Sequence, residues 1–260
     1  MAAQRYDLSI CLPGYRIENW ERLYNSVYDS CKRYKWEMII CGPFPIEEIQ
    51  YELPGIENFK YIFDKGSPCR CGQIATTFAT GEYLTWGSDD GYFLENSLDE
   101  AIDLIKSKEY KDIVAMRYLE GPNFTGVLEG PNWFVGVYHQ DQRLPGVNPS
   151  WKIAPVGMYN TEYFKYLGGF DCQYDHINLS SHDLAYRVQR DGGNVYLSEN
   201  AISTHHWDVN HETWRPMRDA YQLNDLPLFQ KQYAEYNPDR ICIPYDNWKN
   251  SPSEWGRRKL

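Results

Sequence analysis

The stretch Gly81-Glu82-Tyr83-Leu84-Thr85-Trp86-Gly87-Ser88-Asp89-Asp90-Gly91-Tyr92-Phe93 decides how this chain is read. Residues 83–86 are aromatic, β-branched or apolar and spell a short buried strand, which runs directly into two carboxylates and a glycine. The acids therefore close a strand's carboxyl end. Ligands of open α/β sheets bind along that edge, and hard oxygen ligands there suit Mg²⁺ or Mn²⁺ carrying a substrate's phosphates. Asp-Gly is also a common solvated turn, so the flanking elements must decide.

Upstream, residues 6–12 (Tyr-Asp-Leu-Ser-Ile-Cys-Leu) read as a first strand broken by Pro13-Gly14-Tyr15-Arg16. Trp20, Leu23, Tyr24, Val27, Tyr28 and Cys31 then recur at helical spacing, and residues 36–41 form the next buried strand. Strand, helix, strand implies a parallel βαβ unit. A third strand is predicted over 59–63, a short helix over 73–80 leading into the central strand, and an amphipathic helix over 96–106 after the acids.

Downstream, a strand is predicted over 113–118, followed by an irregular region, 121–155, rich in Gly, Pro, Asn and Trp, expected to be an ordered binding loop. A helix over 161–167, a tight turn at Gly168-Gly169-Phe170-Asp171 and a helix opening at Ser180-Ser181 follow, with Asp183 in that helix's first turn and Gly192-Gly193 as its stop. Strands over 194–197 and 202–208 close the pattern, and the chain beyond Trp214 reads as helical in pieces. Fold class is α/β: a Rossmann-like, doubly wound mixed sheet with helices on both faces.

Composition bounds the function. The 260 residues carry 26 Lys+Arg against 36 Asp+Glu, a net charge of −10, with no basic run, which argues against a nucleic-acid partner. The first apolar run, 8–12, is too short for a signal sequence, and nothing approaches a transmembrane length, so a cytoplasmic protein is expected. Seven cysteines, an odd number largely inside apparent strands and helices, suit reduced buried thiols. Nine Trp and 22 Tyr are mostly packing residues, though flat rings also suit sugar faces. His205 and His206 adjoin a strand end. Successive strand residues face opposite ways, so one of them, His205 by preference, is expected to turn toward a metal.

In this order, the motifs resemble the GT-A nucleotide-sugar glycosyltransferases, in particular the inverting family 2, over roughly residues 6–208. The resemblance implies that Pro13, Tyr15 and Glu18 lie against the nucleotide, with Arg70 near its base. It reads Ser88-Asp89-Asp90 as the Asp-x-Asp motif, with Asp90 the metal ligand and Asp89 on ribose or metal. It places Gly168, Gly169 and Asp171 beneath the donor sugar, assigns His205 or His206 to the metal shell, and makes Asp183 the catalytic base with Asp175 in reserve. Asp191, at that helix's far end, is expected to be exposed and uninvolved. Two positions depart from the pattern: Cys41-Gly42-Pro43 ends the second strand where an Asp is usual, and Ser180-Ser181 replaces the usual Glu-Asp pair.

The implied activity is transfer of a sugar from a nucleotide-diphosphate sugar to a glycan or other hydroxyl acceptor, with inversion and with Mn²⁺ or Mg²⁺. Two alternatives stay open: a sugar-nucleotide or glycan-binding protein on the same scaffold, and a nucleotidyltransferase, which would want a richer phosphate loop than residues 13–16 supply. The expected organisation is a GT-A domain over 1–210, divided into a nucleotide-binding half (1–95) and an acceptor half (96–210), and a C-terminal extension over 211–260 packed on it.

Overall fold

The computed structural model describes residues 6–49, 57–122, 151–207, 210–234 and 240–255. Most of the predicted binding loop, residues 123–150, lies outside them. The chain runs β1 (Leu8–Pro13), α1 (Trp20–Ser30), β2 (Trp36–Gly42), α2 (Ile46–Ile49), β3 (Phe59–Phe63), α3 (Pro68–Thr76), β4 (Tyr83–Trp86), α4 (Ser97–Lys106), β5 (Ile113–Pro122), β6 (Gly157–Asn160), α5 (Thr161–Leu167), α6 (Ile177–Arg190) and β7 (Val195–Trp207). After β7 come α7 (Trp214–Ala220), one π-turn (Tyr221–Asp225), α8 (Leu226–Ala234) and a 3₁₀ turn (Asn247–Asn250).

The strands form one mixed sheet in the order β3-β2-β1-β4-β6-β5-β7. The β3-β2-β1-β4 half is parallel, β6 runs antiparallel to both its neighbours, and β5 and β7 are parallel. β1 and β2 are buried along their whole length, which explains their unbroken apolar runs. α1 contributes the stripe Trp20, Leu23, Tyr24 and Val27, each such side chain worth roughly 1.5–3 kcal/mol on burial. Helices cover both faces: α3 packs on β1 and β2 and meets α6, while α4 packs on β5, β7 and α1.

Three element boundaries differ from expectation, each for a local reason. α3 starts at Pro68 rather than Gln73, because Ser67 accepts the N–H of Arg70 and Pro68 fills the first helical position. α6 starts at Ile177, since the cap is His176, whose ring accepts the N–H of Asn178. The serines that looked like caps are interior: Ser181 Oγ bonds back to the carbonyl of Asn178, and Ser180 Oγ meets the N–H of Asp171. β7 joins the two strands expected separately, with a register shift opposite Ala115/Arg117 that takes up the residues between Leu197 and Ile202.

Of the seven cysteines all are free, and all but Cys242 are buried. Among the described residues no helix is long and apolar enough to cross a membrane.

Candidate functional site

The chain leaves β1 toward β2 on one side and returns as β4 on the other, so the crevice between the carboxyl ends of β1 and β4 is the sheet's switch point. The loop at 14–16 meets the loop at 87–90 there. Asp89 makes the junction: Oδ2 accepts the backbone N–H of Tyr15 at 2.5 Å and of Arg16 at 2.6 Å, and Oδ1 takes the Arg16 guanidinium at 2.8 Å. Asp90 Oδ1 accepts the Ser88 hydroxyl, while Oδ2 faces His205 Nε2 at 3.0 Å and Arg16 Nη2 at 3.2 Å.

His205 comes from the far end of the sheet because residues 90–92 pair with β7. The N–H of His206 reaches the carbonyl of Asp90 at 2.9 Å, and the N–H of Thr204 that of Tyr92 at 2.9 Å. Gly91 permits this approach, since a Cβ there would strike the carbonyl of Thr204. His206 turns the other way and stacks on Tyr92, ring centroids 5.5 Å apart and 8° from parallel.

Both carboxylates are 2% exposed. Burial pushes Asp90 upward, but His205 and Arg16, with the Ser88 hydroxyl, outweigh it and hold the carboxyl well below its usual range. For Asp89 burial prevails over Arg16, and its value is raised. Among the described residues no three His, Cys, Asp or Glu side chains are grouped to hold a metal ion. A divalent ion here would rest on Asp90 and His205, with substrate oxygens completing its shell. A carboxylate oxygen beside an imidazole nitrogen is a donor pair that suits Mn²⁺.

A cleft of about 560 Å³, its mouth included, opens beside these groups. Ser88, Asp89, Arg16 and His205 line one part of it, Pro13, Tyr15, Pro68 and Trp86 another, His176, Ile177 and Asn178 at the start of α6 a third, and Thr213 and Met217 the last. The indole N–H of Trp86 is buried and makes no hydrogen bond among the described residues. His176 is tethered from behind: Asp225 accepts the N–H of Asp175 at 2.8 Å and of His176 at 2.7 Å. Asp225 is fully buried, and burial raises its carboxyl to about 7.

Glu18, Arg70, Gly168, Gly169, Asp171 and Asp175 do not line the cleft, and Tyr15, which does, is held by contacts of its own. Glu18 pairs with His211 at 3.3 Å. Arg70 is committed to Asp64 at 2.9 Å, to the carbonyls of Trp248 and Ser251, and to the Trp248 ring at 5.1 Å. Tyr15 gives its hydroxyl to the carbonyl of Gly66 and its ring edge to Trp255, centroids 5.5 Å apart. Gly168 and Gly169 adopt φ of 91° and 68°, a turn that L side chains avoid, and Gln73 props it by accepting the N–H of Phe170 at 2.8 Å. Asp171 binds Arg240. Asp175 is buried next to Asp225.

Asp183 stands two turns into α6, not in its first turn, and is fully buried. Its oxygens are taken by Arg187 at 2.8 Å, Tyr233 Oη at 2.6 Å and Arg240. Against the upward push of burial, Arg240 and Arg187 hold it at about 2. It does not reach the cleft. Asp191 caps the far end of the helix and, contrary to the expectation of full exposure, binds Lys111 at 2.9 Å and Tyr163 Oη at 3.1 Å.

Sequence reasoning overlooked Arg16, His176 and Asp225. Arg16 had a usable signal, a cation in the loop after the first strand. Asp225 had none, because its role depends on a π-turn 50 residues from the backbone it holds.

No family model and no curated protein matches the sequence. Solved structures do. The chain superposes on GalNAc-T7, determined with UDP, GalNAc and Mn²⁺, with a TM-score of 0.60 at 12% identity, covering 95% of this chain and 56% of that one. It matches Staphylococcus aureus TarS in complex with UDP at a TM-score of 0.51 and 15% identity, over 88% of this chain and 70% of TarS. A second TarS structure gives a TM-score of 0.52 at 16% identity, over 93% of this chain and 71% of that one. The chain thus spans little more than half of the GalNAc-T7 chain, and what it shares with these proteins is the GT-A fold.

Proposed function

We propose that this protein is a metal-dependent glycosyltransferase that moves a sugar from a nucleotide-diphosphate donor to an acceptor hydroxyl with inversion. The observation that carries the reading is the convergence of Asp90 and His205 beside Arg16 at the switch point of the sheet. The UDP of the GalNAc-T7 and TarS structures and the Mn²⁺ of GalNAc-T7 support it.

Cleavage of the sugar–phosphate bond leaves a diphosphate whose charge must be neutralised as it develops. Asp90 and His205 are the residues that would hold Mn²⁺ or Mg²⁺, and the ion would supply that neutralisation. Asp89 fixes the loop that carries Pro13 and Tyr15 toward the nucleotide. Arg16 spans both acids and sets their spacing before substrate arrives. Gly168, Gly169 and Asp171, expected beneath the donor sugar, do not line this cleft and have no part in the reading. The apolar bodies of Trp86, Pro13 and Pro68 exclude water around the reacting bond.

One observation favours the second reading, a protein that binds the sugar nucleotide without transferring from it. Asp89 is the only carboxylate among the described residues lining the cleft, and both of its oxygens already accept hydrogen bonds from Tyr15 and Arg16. The test is a panel of UDP-, GDP- and dTDP-sugars with Mn²⁺, followed by thermal stability, since a ligand that binds only the native state raises it. Nucleotide release over time from the stabilising donor then separates transfer or hydrolysis from binding alone. No stabilisation by any donor overturns both readings.

A further inference from the structure

Cys69 and Cys172 are 103 residues apart in sequence and adjacent in the fold, Cys69 in the first turn of α3 and Cys172 just beyond the turn at Gly168-Gly169. Cys69 Sγ donates to the carbonyl of Asp171 at 3.3 Å, while Cys172 Sγ lies 3.8 Å from the carbonyl of Cys69 and 3.9 Å from that of Phe170. Each thiol thus sits beside the backbone of the other cysteine, and the two sulfurs are hydrogen-bond neighbours. They are not joined by a disulfide. No step of the proposed transfer uses them.

The two thiols differ in access. Cys69 is fully buried, and burial with the neighbouring thiol pushes it well above its usual value. Cys172 is also buried, but it borders a surface hollow lined by Asp171, Ile243, Pro244, Asn247 and Ser251. A small oxidant in that hollow meets Cys172 first. A sulfur oxidised there has a second thiol already within reach, the arrangement in which oxidation ends as a disulfide.

We infer that Cys69 and Cys172 form a redox modification site, oxidised by hydrogen peroxide to a reversible disulfide. Cys172 gives its proton to water in the hollow, and its sulfur attacks one peroxide oxygen. The O–O bond breaks, the departing hydroxide takes up a proton to become water, and Cys172 is left as the sulfenic acid. The Cys69 sulfur then attacks the Cys172 sulfur, the S–O bond breaks, and the leaving hydroxide takes the Cys69 proton. Two thiols and one peroxide become one disulfide and two waters, the sulfurs losing the two electrons that the peroxide gains. A dithiol reductant reverses the bond by exchange.

The bond would tie together two parts of the cleft wall. Pro68, next to Cys69, borders the cleft, and so do residues 176–178, which follow the segment carrying Cys172. That segment already meets α3 where the N–H of Cys69 donates to the carbonyl of Asp175 at 2.8 Å. The inference goes beyond the proposed function and does not depend on what the cleft binds.

The experiment starts from Cys242→Ser, which removes the one exposed thiol of the seven and with it cross-links between molecules. The folded protein is treated with hydrogen peroxide, alkylated, digested and mapped by mass spectrometry. A peptide linking Cys69 to Cys172 is expected, with a higher Tm, because the cross-link restricts the unfolded chain over a long loop. Hydrogen exchange over residues 171–178 should slow, and dithiothreitol should reverse all three changes. Cys172→Ala in the same background should show none of them. Cys41 and Cys71 are a second neighbouring pair and serve as the internal comparison. A cross-link between Cys41 and Cys71 in place of the expected one, sulfinic acid at Cys172 without a cross-link, or both thiols still alkylated after peroxide each overturns the inference. The map is read on Cys242→Ser alone, so it decides the matter whether or not Cys172→Ala folds.

Discussion

His205 Nε2 lies 3.0 Å from Asp90 Oδ2, although 115 residues separate the two in sequence. One comes from the loop after the central strand β4 and the other from the edge strand β7, and the pairing of residues 90–92 with β7 brings them together. A metal site proposed on this pair would depend on β7 docking correctly onto the loop after β4.

The first prediction concerns that pair. Asp90→Ala and His205→Ala should each abolish most of the Mn²⁺-dependent part of donor binding, because each removes one of the two proposed protein ligands. Donor affinity measured with Mn²⁺ and with EDTA checks this. A metal effect of the same size in Asp90→Ala and wild type would remove Asp90 from the metal site.

Asp89 should behave differently. Asp89→Ala strips the acceptor from two backbone N–H groups and unpairs one side of a buried guanidinium, an arrangement whose disruption costs on the order of 3–5 kcal/mol. Chemical denaturation should show that loss with or without metal, whereas Asp90→Ala should be destabilised less.

Asp183→Ala should also act on stability, again by roughly 3–5 kcal/mol, since Arg187 and Arg240 are both left without their shared carboxylate. Transfer rates corrected for the folded fraction are expected to change far less. A corrected rate that collapses in Asp183→Asn at unchanged Tm would restore Asp183 as the base.

Asp225 predicts a pH dependence. Its carboxyl is raised from an ordinary 3.8 to about 7 in the folded protein, so the native state holds the proton more tightly than the unfolded chain. The stability that this supplies is complete below about pH 4 and is lost as pH rises through about 7, a swing on the order of a few kcal/mol. Tm measured between pH 5 and 8 should fall with pH, and Asp225→Asn should flatten that slope while lowering the whole curve, because one of its backbone N–H partners loses an acceptor.

The sheet was legible in the sequence because its strands are buried on both faces and announce themselves as unbroken apolar runs, as in β1 and β2. The acids Asp89 and Asp90 were legible because they follow such a run directly. What could not be read were decisions made by tertiary contact. Nothing local distinguishes Ser180 and Ser181 as interior serines from helix caps, and only the His176 ring on Asn178 moves the helix start back by a turn. Likewise Asp183 matches a motif by spacing, but its burial depends on Tyr233 and Arg240, 50 and 57 residues away. Arg70 looked available for a nucleotide because its partners, Asp64 aside, are carbonyls near the end of the chain.

Those carbonyls have a consequence for how the molecule is made. Residues 245–255 clasp both the start of the fold and the turn at 168–170: Gln73 reaches the carbonyl of Tyr245 at 2.8 Å, Asn247 bonds the carbonyls of Gly168 and Phe170, and Trp255 donates to Lys65 at 2.7 Å. On a ribosome, these residues emerge only after every strand of the sheet has been synthesised. The elements translated first must therefore wait, with Arg70 and Tyr15 uncovered, until residues 245–255 have been made, and a nascent chain stalled before residue 245 would expose that unclasped surface to chaperones and proteases.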